Sequence, residues 1–166
     1  IARNFILGKV HNSRWILERA VRDHSIRLDT ENIKNKSRFL AQSMGRIRVC
    51  EHADELLGLE GEAASVYFSV FDDLILQQKD VFYFHGRNKR PPLDYVNAML
   101  SFGYSLLAGM CGAALEAVGL DPYVGFFHTD RPGRMSLALD LMEEFSSVMV
   151  DRFVLNLINK KIQKEK

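Results

Sequence analysis

The sequence predicts an all-α protein that forms one compact helical domain over residues 1–166. Apolar residues recur at helical spacing along most of the chain, and hydrophobic residues make up 47% of it. Only 4 prolines occur in 166 residues, and no segment has a convincing alternating pattern of a β-strand. A chain of this length and apolar content can bury its own core, which excludes a disordered protein.

The first part of the chain predicts two long helices. The first covers residues 3 to about 24, because its apolar side chains fall near helical spacing: Phe5, Ile6, Val10, Ile16, Leu17, Ala20 and Val21. Asp29 or Thr30 can cap the second helix, which we expect to run to about Gly45.

The acidic middle of the chain predicts a further helix. Residues 46–57 are expected to continue helically until the Leu-Gly-Leu sequence at 57–59 interrupts them. A new helix is then predicted from about Glu60 to Gln77.

A basic, proline-containing loop is predicted at residues 86–92, where the Pro-Pro pair excludes helix. Asp94 can cap a central helix over residues 94–118, and Gly119 can end it. Three glycines of this helix should allow close approach of a neighbour: Gly103, Gly109 and Gly112. After an irregular stretch at 120–135, Ser136 can cap a last helix that runs to about residue 160.

Several protein classes are excluded or disfavoured by composition. No apolar run approaches the roughly 18 residues that span a membrane, so no membrane partner is expected. The chain begins Ile1-Ala2 rather than with methionine or a signal peptide, which suggests a piece of a longer protein. Cys50 and Cys111 lack metal-ligand spacing and are expected to be free thiols in a reducing cytoplasm.

Charge is distributed unevenly although the net charge is only +1. Residues 1–50 hold 11 Lys and Arg against 4 acids, whereas residues 51–80 hold 8 acids against 1 lysine. A basic segment beside an acidic centre suits a metal-dependent enzyme that acts on a polyanion. The alternative is that the solvated faces of these helices carry charges of different sign without any functional reason.

The strongest candidate for chemistry joins His128 to the last helix. Asp140 and Glu143 are three residues apart, so they share one face of an otherwise apolar helix. Carboxylates there are costly unless a cation meets them, and a divalent metal would do so. His128 lies where the aromatic core meets a polar loop, which suits a metal ligand or a proton carrier. This combination suggests hydrolysis or phosphoryl transfer.

Other polar residues could complete such a site. Glu60 is a candidate third oxygen ligand, although an acid at a helix start can also serve only the helix dipole. Basic residues in two loops could hold phosphates or could be merely solvated: Arg87, Lys89, Arg90, Arg131 and Arg134. Polar residues of the central helix either pack in the core or line the site: Asn97, Ser101 and Tyr104.

Four motifs in the right order resemble the CRISPR-associated endonuclease/integrase of spacer acquisition, the Cas-one family. They are FILGKVHN at 5–12, GLEGEAASVYF at 58–68, PLDYVNAMLSFGYSLL at 92–107, and GFFH at 125–128 with SLALDLMEEF at 136–145. The subgroup of type I-C systems, the Dvulg subgroup, resembles the chain most.

The resemblance implies that Glu60, His128 and Asp140 bind Mg²⁺ or Mn²⁺, with Glu143 at a nearby acidic position. It implies insertion of short foreign DNA into a CRISPR array by attack of a 3′-hydroxyl, in antiviral defence in the prokaryotic cytoplasm. The implied partners are protospacer and CRISPR-repeat DNA, a small ferredoxin-like Cas-two protein, and a second copy in a full-length homodimer.

The chain departs from the family in two ways. The family's N-terminal β-rich domain is absent, so the chain resembles the catalytic lobe alone. Residues 145–147 read Phe-Ser-Ser where many members have Phe-Arg-Pro, so a basic contact near the site is either missing or supplied from elsewhere, such as by Arg131, Arg134 or Arg152. Two other functions stay open: a non-catalytic helical DNA-binding or interaction module, and a metal-dependent hydrolase of small phosphate esters.

Overall fold

A computed structural model describes residues 1–128 and 132–161, and within these ranges the chain is all-α. No β-strand forms there, which confirms the predicted fold class. The helices, numbered along the chain, are α1 Ala2–His24, α2 Thr30–Val49, α3 Ala53–Phe68, α4 Tyr95–Ala117, α5 Ser136–Phe145 and α6 Arg152–Asn159. A 3₁₀ turn spans Asp72–Leu74, and a π-helical segment spans Ser146–Asp151 between α5 and α6.

Helix α1 lies at the centre and packs against α2, α3 and α5. Its buried residues recur every three to four positions and form one stripe: Ile6, Val10, Ser13, Ile16 and Leu17. Full burial of each aliphatic side chain contributes roughly 1.5–3 kcal/mol. This packing holds α1 and α5 in fixed register, which matters because both carry polar residues of the site.

Gly8 lets α5 approach α1 closely. A Cβ atom at Gly8 would lie 2.7 Å from Cγ of Glu144, well inside van der Waals contact. One turn further along α1, the Asn12 side-chain amide donates to the Glu144 carbonyl oxygen at 2.7 Å. Glu144 is therefore held at the contact between the two helices.

The predicted boundaries of α2 and α3 are wrong in detail. Helix α2 continues past Gly45 to Val49, and the break falls at residues 50–52, inside a stretch predicted to be helical. Asp29 caps α2 as predicted, accepting from the Asn32 amide. Helix α3 then runs straight through Gly58, because burial of Leu56 and Leu59 offsets the roughly 0.5–1 kcal/mol cost of a helical glycine.

The later boundaries also differ from prediction. Helix α3 ends at Phe68 rather than Gln77, and it begins at Ala53 rather than near Glu60, so Glu60 lies at the end of its second turn and not at its start. The aromatic side chain of Phe71 instead enters the core beyond the helix end. At α5 the N-cap is Met135, with Ser136 as the first helical residue, so the predicted cap is one residue late.

Helix α4 is built as predicted at its ends. The Asp94 side chain accepts from the Asn97 amide at 2.7 Å, and Gly119 follows the helix with φ of +80°. A Cβ at Gly103 would lie 2.6 Å from Val150, so this glycine does permit close packing. A Cβ at Gly109 would meet no other residue of the described ranges within 4 Å, so its predicted packing role is wrong.

Helix α4 is also long and apolar enough to cross a membrane, judged by length and composition alone. Its most apolar window has a mean hydropathy of 1.5, and 28% of that window is buried. The expectation that no apolar segment reaches this length is therefore wrong for α4, since its glycines and serines carry no charge. Core helices of globular proteins meet the same criterion, and α4 packs here on α5 and the π-helical segment.

The π-helical segment replaces the continuous last helix that the sequence predicted. A π turn holds one residue more than an α turn, so it shifts the face that later residues present. Here Asp151, at the end of the segment, is buried beneath α4 and α3. Helix α6 then buries Val154, Leu155 and Ile158 on one face.

Candidate active site

His128 and Asp140 form the best-defined polar contact of the predicted site. The His128 Nδ1 atom lies 2.6 Å from Oδ1 of Asp140, whose side chain is fully buried. The Asp140 carboxylate also accepts from three successive backbone amides, those of Phe126, Phe127 and His128, at 2.6–2.9 Å. An ionised carboxylate has about four acceptor positions, and these four donors use them.

The loop before α5 is shaped around this carboxylate. A Cβ atom at Gly125 would lie 2.9 Å from the Ser136 backbone carbon and 3.1 Å from Asp140 Oδ2, so only glycine fits. Burial by itself raises the pKa of the Asp140 carboxyl, but the hydrogen bonds from His128 and the amides outweigh it and lower the pKa below its ordinary value. Asp140 is therefore ionised, and Nδ1 of His128 carries the proton between them.

A second polar cluster joins α1, α3 and α5 beside this pair. The Lys9 ammonium contacts Glu60 Oε1 and lies 2.7 Å from Glu143 Oε2. All three side chains are only 16–18% exposed. Burial alone lowers the pKa of Lys9, but the two carboxylates outweigh it and the pKa is raised. Lys9 is therefore a cation shared by two acids.

The two clusters meet at Glu143. The Nε2 atom of His128 lies 3.8 Å from Glu143 Oε1, on the side of the ring opposite Asp140. Thus α5 carries one acid that binds the ring through Nδ1 and a second that faces Nε2. Within residues 1–128 and 132–161, no three His, Cys, Asp or Glu side chains stand arranged to hold a metal ion. The Lys9 ammonium occupies the space between the two glutamates instead.

A cleft of about 690 Å³ opens beside Lys9, Glu60 and Glu143. Arg87 and Lys89 of the basic loop line the same cleft. The cleft therefore combines acids at one end with cations that could hold a phosphate backbone.

Arg87 is held in place by α4. Its guanidinium donates to Asn97 Oδ1 at 2.9 Å and to Ser101 Oγ at 3.2 Å, and lies 5.2 Å from the Tyr104 ring centroid. Asn97 is fully buried and also accepts from the Asn88 amide, so it ties the loop to the helix. The polar residues of α4 thus serve to position the basic loop.

A buried acid lies behind the cleft. Asp151 accepts from the hydroxyl of Tyr67 at 3.0 Å and from that of Tyr104. Burial raises the pKa of Asp151 to about 6, against the opposing effect of the two hydroxyls, Lys9 and Arg87. Both tyrosine pKa values are raised well above normal, first by burial and then by Asp151. The tyrosine hydroxyls are therefore donors to Asp151 and stay neutral.

The other basic residues of the described ranges that were predicted to bind phosphate are not found among the residues that line the cleft. Arg90 is exposed, and neither it nor the half-buried Arg134 is among the residues that line the cleft. Arg131 lies outside the residues that the structure describes. Arg87 and Lys89 are thus the predicted phosphate-binding residues that the fold brings to the acids.

Sequence reasoning missed Lys9 and Asp151. Each carried a signal, since a charged residue stands within the buried face of an amphipathic helix. Lys9 adjoins Val10 and lies one turn after Ile6, both of which are buried. Asp151 follows the buried Val150 in the same way. A charge on an inward stripe needs a partner, and that need points to a polar site.

Comparison with known proteins gives a consistent result. The family profile described as "CRISPR associated protein Cas1" matches residues 1–166. A protein of Chlorobaculum tepidum described as "CRISPR-associated endonuclease Cas1 1" is 50% identical over 160 residues, which are 96% of this chain and 47% of that protein. The chain thus spans about half the length of the curated relatives it matches.

Solved structures agree with the sequence relatives. A "Casposase bound to integration product" superposes with a TM-score of 0.80 at 30% identity, covering 99% of this chain and 44% of that one. A chain of a "Cas6-RT-Cas1--Cas2 complex" superposes with a TM-score of 0.85 at 27% identity, covering 99% and 17%. The helical fold of this chain therefore also occurs in a casposase and in a chain of a Cas1–Cas2 complex.

Proposed function

The chain belongs to the family of CRISPR-associated Cas1 proteins, and from this premise we propose that it is a metal-dependent DNA endonuclease and integrase. It inserts short foreign DNA fragments into a CRISPR array in the prokaryotic cytoplasm. The observation that carries this proposal is that His128 faces Glu143, and that Glu143 and Glu60 share the Lys9 ammonium beside a cleft lined by Arg87 and Lys89. Acids, an imidazole and phosphate-binding cations are the parts that phosphodiester chemistry requires.

The donor set fits Mg²⁺ or Mn²⁺. Two carboxylates and one imidazole are hard or borderline ligands, which suit these ions better than a structural zinc. The sequence implied Glu60, His128 and Asp140 as ligands, but the Asp140 oxygens already accept four hydrogen bonds. We therefore assign Glu60, Glu143 and Nε2 of His128 as the ligands. Asp140 becomes the residue that orients the ring, as carboxylates beside ligating histidines commonly do.

In the proposed reaction the 3′-hydroxyl of an incoming fragment attacks a phosphate at the edge of a CRISPR repeat. A new P–O bond forms to that hydroxyl oxygen as the bond to the leaving 3′-oxygen breaks, and with water as nucleophile the same site cuts DNA. The bound metal would polarise the phosphate and neutralise its developing charge. Arg87 and Lys89 hold neighbouring phosphates, while Asp140 keeps His128 in one tautomer.

The proposed assembly follows the comparisons. A structure that superposes on this chain is described as a complex with Cas2, so we propose a small Cas2-type partner. We also propose a homodimer of the full-length protein, on the family resemblance alone. The basic first helices and the basic loop would face DNA of the fragment and of the repeat.

Strand transfer tests the proposal directly. A labelled fragment with a free 3′-hydroxyl is incubated with repeat-containing plasmid, Mn²⁺ and the protein, and joined product is measured. Glu60→Gln and His128→Ala should abolish joining, and a fragment ending in a 3′-dideoxynucleotide should not join at all. Undiminished joining by Glu60→Gln would contradict the proposal.

A non-catalytic DNA-binding module is the second candidate, and one observation favours it. The Lys9 ammonium already forms ion pairs with Glu60 and Glu143, so the acids have a partner without any metal. Such a module would bind DNA equally with and without Mn²⁺ and would gain no thermal stability from the ion. Stabilisation by Mn²⁺ in the wild type but not in Glu60→Gln excludes it.

A further inference from the structure

Lys9 occupies the position that the proposed metal requires. Its ammonium sits between oxygens of Glu60 and Glu143, which come from α3 and α5, while Lys9 itself comes from α1. The ammonium therefore holds three helices together at one point.

The same oxygens cannot serve the ammonium and a divalent cation fully at once. Each hydrogen bond from Lys9 uses a lone pair of a carboxylate oxygen, and that lone pair is then unavailable to a metal. Two cations held a few ångströms apart also repel each other strongly where both are largely withdrawn from water. One ammonium leaves the pair of glutamates with a net charge of −1, whereas a divalent cation neutralises it completely.

We propose that Lys9 and the divalent cation exchange at Glu60 and Glu143. In the metal-free protein the ammonium is paired with both acids. When the metal binds, the Lys9 side chain turns into the cleft and binds a phosphate of the DNA strand. This inference rests on the proposed function and adds a residue to it.

The cleft gives the displaced ammonium a place to go. Lys9 lines the cleft of about 690 Å³ together with Arg87 and Lys89. A lysine side chain has four flexible carbons and one compact charge, so it can swing between partners without moving the helix. Arg87, by contrast, is fixed by Asn97 and Ser101. The mobile Lys9 ammonium therefore joins the fixed Arg87 guanidinium in binding the DNA backbone.

Calorimetric titration with Mn²⁺ alone tests the exchange. In Lys9→Met and Lys9→Gln no ammonium competes, so we expect Mn²⁺ to bind roughly tenfold more tightly than in the wild type. Lys79→Met is the matched control, because Lys79 is also paired with an acid, Asp72, but on an exposed surface outside the cleft. The control should bind Mn²⁺ as the wild type does.

The phosphate contact is tested by the salt dependence of DNA binding, with a 3′-dideoxy fragment that cannot react. In Mn²⁺ the slope of log affinity against log salt should fall by about 1 in Lys9→Gln. Without metal the slope should not change, since Lys9 is then engaged by the acids. A constant structural ion pair would leave both slopes unchanged.

Each outcome separates the inference from the proposed function. Equal Mn²⁺ affinity in the wild type and both Lys9 variants overturns the exchange but leaves the metal site intact. No Mn²⁺ binding by any of these proteins overturns both. Tighter Mn²⁺ binding with an unchanged salt slope overturns the phosphate contact alone. Circular dichroism and thermal melting identify a variant that fails to fold. If Lys9→Met fails to fold, Lys9→Gln replaces it in the titration, because its amide can still donate to a carboxylate.

Discussion

His128 Nδ1 lies 2.6 Å from Asp140 Oδ1, and the same carboxylate gathers three consecutive backbone amides of the loop that carries the histidine. Asp140 thus fixes both the imidazole ring of His128 and the loop that carries it. This arrangement leaves Nε2 pointing towards Glu143, so the direction of the ring is set before any ligand arrives.

Replacing Asp140 with Asn should therefore damage stability and site geometry together. The side-chain NH2 group of asparagine is a hydrogen-bond donor and would face backbone N–H groups that are donors too. We therefore expect a loss of about 3 kcal/mol in the free energy of unfolding. Mn²⁺ affinity should fall roughly 10–100-fold, as with other residues that orient a ligating histidine. Urea unfolding and calorimetry measure the two effects. Asp121→Asn, in the same region but exposed, is the control, and equal behaviour of the two variants would refute the assigned role.

The adjacent acids of α5 should separate cleanly in function. Glu143→Gln removes a carboxylate from the cleft and should lower the strand-transfer rate roughly a hundredfold or more. Glu144→Gln should leave it nearly unchanged, because the described contacts of Glu144 to α1 involve its backbone carbonyl and its packing on Gly8. The two rates, measured at saturating Mn²⁺, decide between them. A larger loss in Glu144→Gln would reverse the assignment.

Two glycine-to-alanine changes should have opposite signs. Gly125→Ala places a methyl group 2.6 Å from Ser136 Cβ and 2.9 Å from its backbone carbon, so we expect a loss of about 1–3 kcal/mol. Gly58→Ala has open space within a helix and should stabilise the protein by about 0.5–1 kcal/mol. Thermal and urea unfolding compare them. Destabilisation by both would mean that helix α3 is not regular at Gly58.

Asp151 should make stability fall as the pH rises from about 4 to 7. Its pKa of about 6 in the folded protein exceeds the unfolded value of 3.8, so the folded state binds the extra proton in this window. The loss amounts to about 2–3 kcal/mol. Asp140 has a lowered pKa, so it acts in the opposite direction: its contribution is complete above about pH 5 and is lost as the pH falls below that, so measurements at pH 5 and above report Asp151. Lys9 and Arg87 face Asp151 and stay charged throughout. Urea unfolding of wild type and Asp151→Asn at pH 5 and 7 measures the upper part of this change, about 1.3 kcal/mol, which should vanish in the variant.

The fold class could be predicted because the helices are amphipathic and their caps are local. Asp29 and Asp94 cap their helices with their own side chains, which a sequence reveals. The end of α3 could not be predicted, because Phe71 keeps the apolar pattern going while its backbone has already left the helix. Tertiary packing there overrides the local signal.

The candidate site was predictable as a set of residues but not as a set of contacts. His128, Asp140 and Glu143 stand out as polar groups in apolar surroundings. Only the structure distinguishes the acid whose oxygens are used by backbone donors from the acid that faces the cleft. The ammonium of Lys9 comes from more than fifty residues away from Glu60, and no local pattern indicates such a partner.

The wide turn at Ser146–Asp151 has a consequence for how this protein can vary. Because a π turn holds one residue more than an α turn, deleting one residue there and restoring ordinary α-helical winding would leave the later residues facing almost the same way. Val154, Leu155 and Ile158 would stay in the interior. A single-residue deletion should consequently be tolerated better in this stretch than elsewhere in the helices, where it would rotate everything after it by about 100°.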